Sequence, residues 1–302
     1  MSACATTIER APVADDPDVL LETTGTVLLA ERGDGLLNRS VTLIDLPSGA
    51  RRELRLPSNF SDLSGIDERG RLAYIEAGVE APRLLLLEIA SKQTRPLLEL
   101  DRAHRALQLA PRGDWLVLWK TLDGAAELVS TDDSARRPIA HDLGRLTAVH
   151  WRPDGRSFSL VGEHASAQVD VATLTLTRRT PILGPFTPRG EAQLATQDGE
   201  FVLIDAESGA TLVEPAHFPW PAESVVRPLA LPGPHHGRYH SLPAAGDPSG
   251  QSFARGGVLW HENGVLAIAD LASGQRATLA AYPASISQVL YSPVRLAELA
   301  RE

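Results

Sequence analysis

Short apolar runs recur along this chain, and each ends in a polar residue followed by turn-forming residues. Four of them are Leu43-Ile-Asp-Leu-Pro-Ser-Gly49, Leu86-Leu-Glu-Ile-Ala-Ser-Lys92, Leu203-Ile-Asp-Ala-Glu-Ser-Gly209 and Ile268-Ala-Asp-Leu-Ala-Ser-Gly274. Other apolar runs end in glycine turns, such as Pro153-Asp-Gly-Arg156 and Pro248-Ser-Gly-Gln251. Glycine, proline, serine and aspartate favour β-turns, and apolar runs this short are typical of strands. The pattern therefore predicts short antiparallel strands connected by hairpins.

The two kinds of turn alternate at a nearly constant interval. This interval is 25 residues from Asp45 to Gly70, from Glu88 to Gly113, from Ser130 to Gly155 and from Asp270 to Arg295. It is 20 residues from Asp170 to Gly190 and 45 residues from Asp205 to Gly250. A complete repeat is about 42 residues long and holds four strands, which is typical of a β-propeller blade.

These motifs resemble the repeat of TolB-like and Trp-Asp-repeat-like β-propellers. The resemblance covers roughly residues 26 to 295 and rests on the Pro-Asp-Gly-Arg turn and on the Asp-Leu-x-Ser-Gly strand ends. It implies an all-β fold built from four-stranded antiparallel blades. Propellers of this kind serve as scaffolds, receptors and enzymes, so the resemblance indicates the fold and leaves the function open.

Six copies of the third strand predict six blades. The last inner-strand pattern, residues 286–291, has no blade of its own, and the first strands, residues 26–30 and 40–46, lack an inner strand. We predict that the two ends of the chain share one blade, because this closure removes two exposed sheet edges. The alternative is a seventh, partial blade that uses residues 295–300. We expect a single propeller domain over residues 23–302, preceded by a flexible tail, residues 1–22.

Composition and charge narrow the choice of partner. The chain has 29 basic and 38 acidic residues, a net charge of −9, whereas a surface for nucleic acid needs the opposite balance. Apolar blocks such as Leu84–Leu87 are too short to cross a membrane, and the N-terminus lacks the pattern of a signal peptide. The single cysteine excludes a disulfide framework. We expect a cytoplasmic, monomeric protein without a cofactor that binds neither nucleic acid nor membranes.

Aligning the repeats gives several large side chains a structural role. One large apolar residue stands before each glycine turn, and the copies are Ile66, Leu109, Trp151, Phe186 and Tyr291. We interpret them as wedges between neighbouring blades. Pairs of arginines also recur, at Arg51/Arg52, Arg136/Arg137 and Arg178/Arg179. We interpret these pairs as solvated faces of the outer strands.

A proline-rich and histidine-rich insert near residues 209–238 is the least regular part of the chain. It joins the outer strand of one blade to the inner strand of the next, and such loops open onto the face where ligands enter a propeller's central funnel. Candidate ligand-binding residues at this face are His217, His235, His236, His150 and Gln288. Histidine is a common metal ligand, and His235, His236 and His240 are the candidates for a metal site.

Two functions follow from this arrangement. The first is a non-catalytic propeller that binds a protein, a peptide or a small ligand at its funnel face. The alternative is a propeller enzyme, a hydrolase, lyase or cyclase of a biosynthetic pathway. Its candidate catalytic residues are His240, His261, His104, Asp62 and Arg105. Imidazole, carboxylate and guanidinium groups could transfer protons and position an acidic substrate.

Overall fold

The computed structural model describes residues 25–31, 38–46, 50–77, 80–101, 105–179, 182–186, 190–197, 200–213, 239–242, 257–262, 265–270, 276–281, 286–292, 294 and 299. Their regular structure consists of antiparallel strands, and none of the described residues forms a helix of the length and apolarity that crossing a bilayer requires. The strands are β1 (Gly25–Glu31), β2 (Asn38–Leu46), β3 (Arg51–Ile66), β4 (Arg71–Glu76), β5 (Arg83–Glu88), β6 (Thr94–Glu99), β7 (Arg105–Leu109), β8 (Trp115–Lys120), β9 (Ala126–Ser130), β10 (Arg136–Ile139), β11 (Leu146–Trp151), β12 (Ser157–Gly162), β13 (Ser166–Asp170), β14 (Leu176–Arg179), β15 (Ile182–Phe186), β16 (Ala192–Gln197), β17 (Glu200–Asp205), β18 (Thr211–Val213), β19 (Tyr239–Leu242), β20 (Gly257–Glu262), β21 (Val265–Asp270), β22 (Arg276–Ala281) and β23 (Ile286–Ser292).

The described strands form one seven-stranded sheet and four four-stranded sheets, and the seven-stranded sheet divides into two four-stranded blades that share the long strand β3. Its first part pairs with β2, for example Arg51 with Ile44, and its last part pairs with β4, for example Ile66 with Leu72. Blade 1 is β23, β1, β2 and the first part of β3, and blade 2 is the rest of β3 with β4, β5 and β6. Blades 3 to 6 are β7–β10, β11–β14, β15–β18 and β19–β22. The fold is a β-propeller with four-stranded antiparallel blades, as the repeat predicts.

The two ends of the described chain meet in blade 1. Strand β23 lies antiparallel to β1, with Tyr291 opposite Val27. The Ser292 hydroxyl donates to the carbonyl of Ile66 in blade 2 at 2.6 Å, which ties this shared blade to its neighbour. The prediction that the N- and C-terminal strands share one blade is confirmed.

The apolar core lies between adjacent blades. Ile66, Leu109, Trp151 and Phe186 are all buried there, which confirms the predicted wedge position; the side chain of Tyr291 lies outside the described residues. The Trp151 ring packs against Phe158 of its own blade with 4.7 Å between ring centroids. Its indole N–H donates to the carbonyl of Gln108 in blade 3 at 3.0 Å. The wedge therefore joins apolar packing with a polar contact between blades.

The prediction that the arginine pairs are solvated is wrong for the second member of two pairs. The guanidinium of Arg137 donates to the carbonyls of Val171 and Ala172 in the next blade, at 2.8 and 2.9 Å. Arg179 makes the same kind of contact with the next turn, and Arg95 does so one repeat earlier. A guanidinium is long enough to leave its own strand and satisfy carbonyls that a turn leaves unpaired. These arginines therefore connect the outer parts of adjacent blades.

Two predicted segments fall on residues outside the described set. The flexible tail, residues 1–22, lies outside it completely. Of the predicted insert near 209–238, the structure describes only residues 209–213, which include the short strand β18.

Candidate functional site

The propeller has two faces that carry different loops. The upper face holds the connections from one blade to the next and those from the second to the third strand of a blade. The lower face holds the hairpins between the first and second and between the third and fourth strands. The predicted funnel site lies on the upper face. Its described part consists mainly of blades 2 to 4.

Arg105 lies at the upper end of the inner strand β7, where carboxylates surround it. Its Nη2 is 2.9 Å from Oδ1 of Asp101 and its Nη1 is 3.7 Å from Oε1 of Glu127, and 8% of the side chain is exposed. Glu127 also receives two hydrogen bonds from Arg136, at 2.6 and 2.9 Å. Lys120 adds a second cation beside Asp101, at 3.6 Å. Arg105 is therefore part of an ion-pair network at the upper edge of blade 3, in which Asp123, 4.0 Å from Lys120, is the third carboxylate.

Asp62 connects two inner strands. Its side chain is buried, and its Oδ2 accepts the backbone N–H of Leu107 in the next blade at 2.9 Å. Ser166 does the same for the N–H of Leu183, at 3.0 Å. An innermost strand presents N–H groups without a partner in its own sheet, so a side chain from the neighbouring blade must pair with them. The structure thus gives Asp62 a role in packing the blades together.

The predicted histidine site falls largely outside the described residues. This holds for all of His104, His217, His235 and His236, and for the side chains of His240, His261 and Gln288. The backbones of His240, His261 and Gln288 lie in strands β19, β20 and β23. His150 is half-buried on the inner strand β11, opposite Ser159. No group of three His, Cys, Asp or Glu residues close enough to hold a metal occurs within the described ranges.

The connection between β8 and β9, residues 121–125, presents an exposed leucine on the upper face. Leu122 is 71% exposed, and the connection from blade 3 to blade 4, residues 140–145, holds its loop in place. Arg145 Nε donates to the carbonyl of Thr121 at 2.8 Å, and Nε2 of His141 lies 2.8 Å from the carbonyl of Gly124. The second contact requires the His141 tautomer with a proton on Nε2, which leaves Nδ1 free to accept the N–H of Leu143.

Close backbone contact fixes this loop further. Gly124 has a φ of +77°, and a Cβ at this position would lie 2.1 Å from the carbonyl oxygen of Gly144. Only glycine fits both the conformation and the contact. The β8–β9 loop therefore packs on the connection from blade 3 to blade 4, and Leu122 is presented from a fixed backbone. The sequence gives only a slight indication of this exposed position, because Leu122 is a single apolar residue within the polar turn Thr121-Leu-Asp-Gly124.

An ion pair shapes the upper face of blade 2. Arg83 Nε donates to Oε2 of Glu76 at 2.7 Å. This hydrogen bond holds the pKa of Glu76 below its ordinary value. The upper face therefore carries ion pairs on both blade 2 and blade 3.

Solved structures share this architecture, while no family model and no curated protein matches the chain. TolB from Acinetobacter baumannii superposes with a TM-score of 0.60 at 11% identity, over 89% of this chain and 67% of the TolB chain. The fold is that of a TolB-like β-propeller. A second match is the dihydro-heme d1 dehydrogenase NirN in complex with DHE, with a TM-score of 0.51 and 17% identity. It covers 90% of this chain, which spans 56% of the NirN chain. At these identities the likeness describes the fold of a TolB-like propeller alone.

Proposed function

We propose that this TolB-like propeller is a non-catalytic binding protein that captures a protein or peptide on its upper face, with Leu122 at the centre of the contact. The observation that carries the proposal is the 71% exposure of Leu122 on a loop fixed by the connection from blade 3 to blade 4. Asp62 and Arg105, which were candidates for catalysis, both have partners within the propeller. This favours binding over the alternative of a propeller enzyme.

A fixed apolar residue lowers the cost of association. Flexible loops lose conformational entropy on binding, whereas the loop at residues 121–124 is already ordered by Arg145, His141 and Gly144. Burying the exposed part of one leucine contributes about 1–2 kcal/mol. Lys120 and Asp123 flank Leu122 in the chain and Arg145 bonds to Thr121 of the same loop, and charged groups of this kind are typical of the polar rim of a protein interface. The predicted partner therefore presents an apolar pocket framed by polar groups.

Paired substitutions distinguish the proposed specific binding from nonspecific hydrophobic adsorption to any exposed leucine. Leu122→Ser removes the apolar centre, and Leu212→Ser is the matched control, because Leu212 is 54% exposed on the outer strand of blade 5. The immobilised protein is used to capture partners from a lysate of its own source, with quantitative mass spectrometry. Leu122→Ser should reduce capture of a specific partner about tenfold, while Leu212→Ser leaves it unchanged and neither changes the melting temperature. Equal capture by both variants and the parent would contradict the proposal.

The insert near residues 209–238 and the histidine candidates remain predictions for the same upper face. A cytoplasmic location and a monomeric state also remain predictions from the sequence. The paired substitutions test Leu122 independently of all of these.

A further inference from the structure

A cleft lies between blades 3 and 4 on the lower face, opposite the proposed binding surface. Its volume is about 450 Å³, within the size range of small-molecule sites. The hairpin after β7 contributes Arg112, the hairpin after β11 contributes Arg156, and Trp115 and Arg137 contribute to the wall. The aliphatic part of Arg112 lies over the turn of blade 4, because a Cβ on Gly155 would be 3.3 Å from its Cδ.

The repeat shows that this cleft departs from its neighbour in charge. At the junction of blades 2 and 3, the residue before the turn glycine is Arg69, and it forms an ion pair with Asp114, the residue after the next turn glycine. The equivalent residues at the junction of blades 3 and 4 are Arg112 and Arg156. An attractive pair is thus replaced by two cations facing one cleft. Like charges placed together are unfavourable unless an anion lies between them.

Among the charges that line the cleft, Arg112 and Arg156 are left without an ion pair to any residue that the structure describes. Arg137, the third lining arginine, donates to the backbone carbonyls of Val171 and Ala172. Two of the three lining carboxylates are already engaged by arginines outside the cleft, Asp114 by Arg69 and Asp154 by Arg152. The third, Asp170, accepts hydrogen bonds from Thr173 and is attracted to Arg137. The cleft therefore presents the guanidinium groups of Arg112 and Arg156 without a carboxylate partner, in a chain whose net charge is −9.

One wall of the cleft is flat and partly apolar. The guanidinium carbon of Arg137 lies 5.9 Å from the centroid of the Trp115 ring, and the two hydrogen bonds to blade 4 hold this guanidinium in place. Trp115 is half-buried, with its body packed on the core between blades 3 and 4. Such a wall favours a ligand that has a planar apolar part next to its charge.

We propose that this cleft binds a small organic anion, a carboxylate or phosphate group attached to a flat apolar body. Arg112 and Arg156 bind the anionic group from the two sides of the cleft, and the wall at Trp115 and Arg137 contacts the flat part. Guanidinium groups suit this task because they form paired, charge-assisted hydrogen bonds with carboxylate and phosphate oxygens. Binding also removes the repulsion between the two arginines.

Isothermal titration calorimetry with three probes that share a phenyl ring tests this site. Benzoate carries the carboxylate, phenyl phosphate carries the phosphate, and benzamide is the uncharged control. We expect saturable binding of at least one of the two anions, with a Kd on the order of 1 mM or tighter. The stronger of the two identifies which anionic group the cleft prefers. Benzamide should not bind measurably, and added salt should weaken the anions.

Two charge-neutralising substitutions locate the site, and a third is the control. Arg112→Gln and Arg156→Gln should each weaken binding of the anion by about tenfold, without lowering the melting temperature, because each removes one of two like charges. Arg178→Gln makes the same charge change at an exposed residue that pairs with Asp142, and should leave binding unchanged. The proposal is overturned if neither anion binds saturably, if benzamide binds as tightly as the anions, or if binding is the same in the cleft variants. Capture of a partner through Leu122 is measured separately and does not depend on these outcomes.

Discussion

Gly113 is the position where a single methyl group tests how blades 2 and 3 are joined. A Cβ on Gly113 would lie 2.0 Å from Oδ2 of Asp67 and 2.2 Å from Nη2 of Arg71. These two residues form an ion pair at 2.8 Å, in which 0% of the Asp67 side chain and 13% of the Arg71 side chain are exposed. Arg71 also donates to the carbonyl of Gly113 at 2.8 Å. Gly113→Ala therefore forces a buried ion pair apart.

The expected cost has two parts. The φ of Gly113 is +75°, a conformation that strains alanine. Alanine also lowers the entropy of the unfolded chain, which offsets part of this strain, so the net loss of stability from the backbone is about 1 kcal/mol. Separating the buried pair costs about 3–5 kcal/mol more. Burial raises the pKa of Asp67, and the contacts with Arg71 offset only part of this effect, so the carboxylate depends on its partners. The variant should lose about 4–6 kcal/mol of stability in total.

Gly144→Ala provides the matched control. Its φ is +69°, and nothing lies within 4 Å of a Cβ there, so it carries the backbone strain without the collision. By thermal unfolding followed by circular dichroism, Gly144→Ala should lower the melting temperature by about 2 °C and Gly113→Ala by about 10 °C. Equal shifts would refute the argument that the turn at Gly113 of blade 3 packs against the buried Asp67–Arg71 pair of blade 2.

Two further substitutions test the outer turns. Arg179→Gln removes the hydrogen bonds to the carbonyls of Glu207 and Ser208 and should lower the free energy of unfolding in urea by about 1 kcal/mol. Arg178→Gln, which breaks only an exposed ion pair, should lower it by less. Equal losses in the two variants would contradict a contact between blades through Arg179. The backbone N–H and hydroxyl of Ser208 lower the pKa of Asp205 below its ordinary 3.8. This stabilisation exists above that pH and is lost as the pH falls through the folded-state pKa. Asp205→Asn should therefore be less stable than the parent at neutral pH and equal to it in acid, and a difference that does not change with pH would contradict the role of Ser208.

The repeat and its closure could be predicted because they are local properties of the sequence. A glycine after a short apolar run, as at Gly155, predicts a hairpin wherever the rest of the chain lies. The inner strand β23 has no blade of its own, and the first strands of the chain lack an inner strand. The sequence therefore predicts that the two ends of the chain pair in one blade. Strand β3, which continues from one blade into the next without a turn, was not predicted, since its two halves carry the signals of separate strands.

The contacts between blades could not be predicted from the repeat alone. Arg137 and Arg179 have the same composition signal as exposed strand arginines, and their partners are carbonyls that become neighbours only when two sheets pack side by side. From the sequence, Asp62 is predicted to be a polar residue that lines the central channel. In the structure its carboxylate accepts the backbone N–H of Leu107 on the next inner strand. The opposition of Arg112 and Arg156 likewise depends on knowing which turns face each other. The histidine candidates lie mostly outside the described residues and remain predictions.

Site-specific photo-crosslinking at position 122 tests the central claim most directly, because it asks which surface the partner contacts. A photoreactive amino acid is introduced at position 122 in one sample and at position 212 in another, and each protein is irradiated in a lysate of its source. We predict a discrete crosslinked adduct from position 122 that is absent from position 212 and is suppressed by excess unlabelled parent protein but not by excess Leu122→Ser. Identical adducts from both positions, or an adduct that Leu122→Ser suppresses as well as the parent does, would contradict a binding surface centred on Leu122.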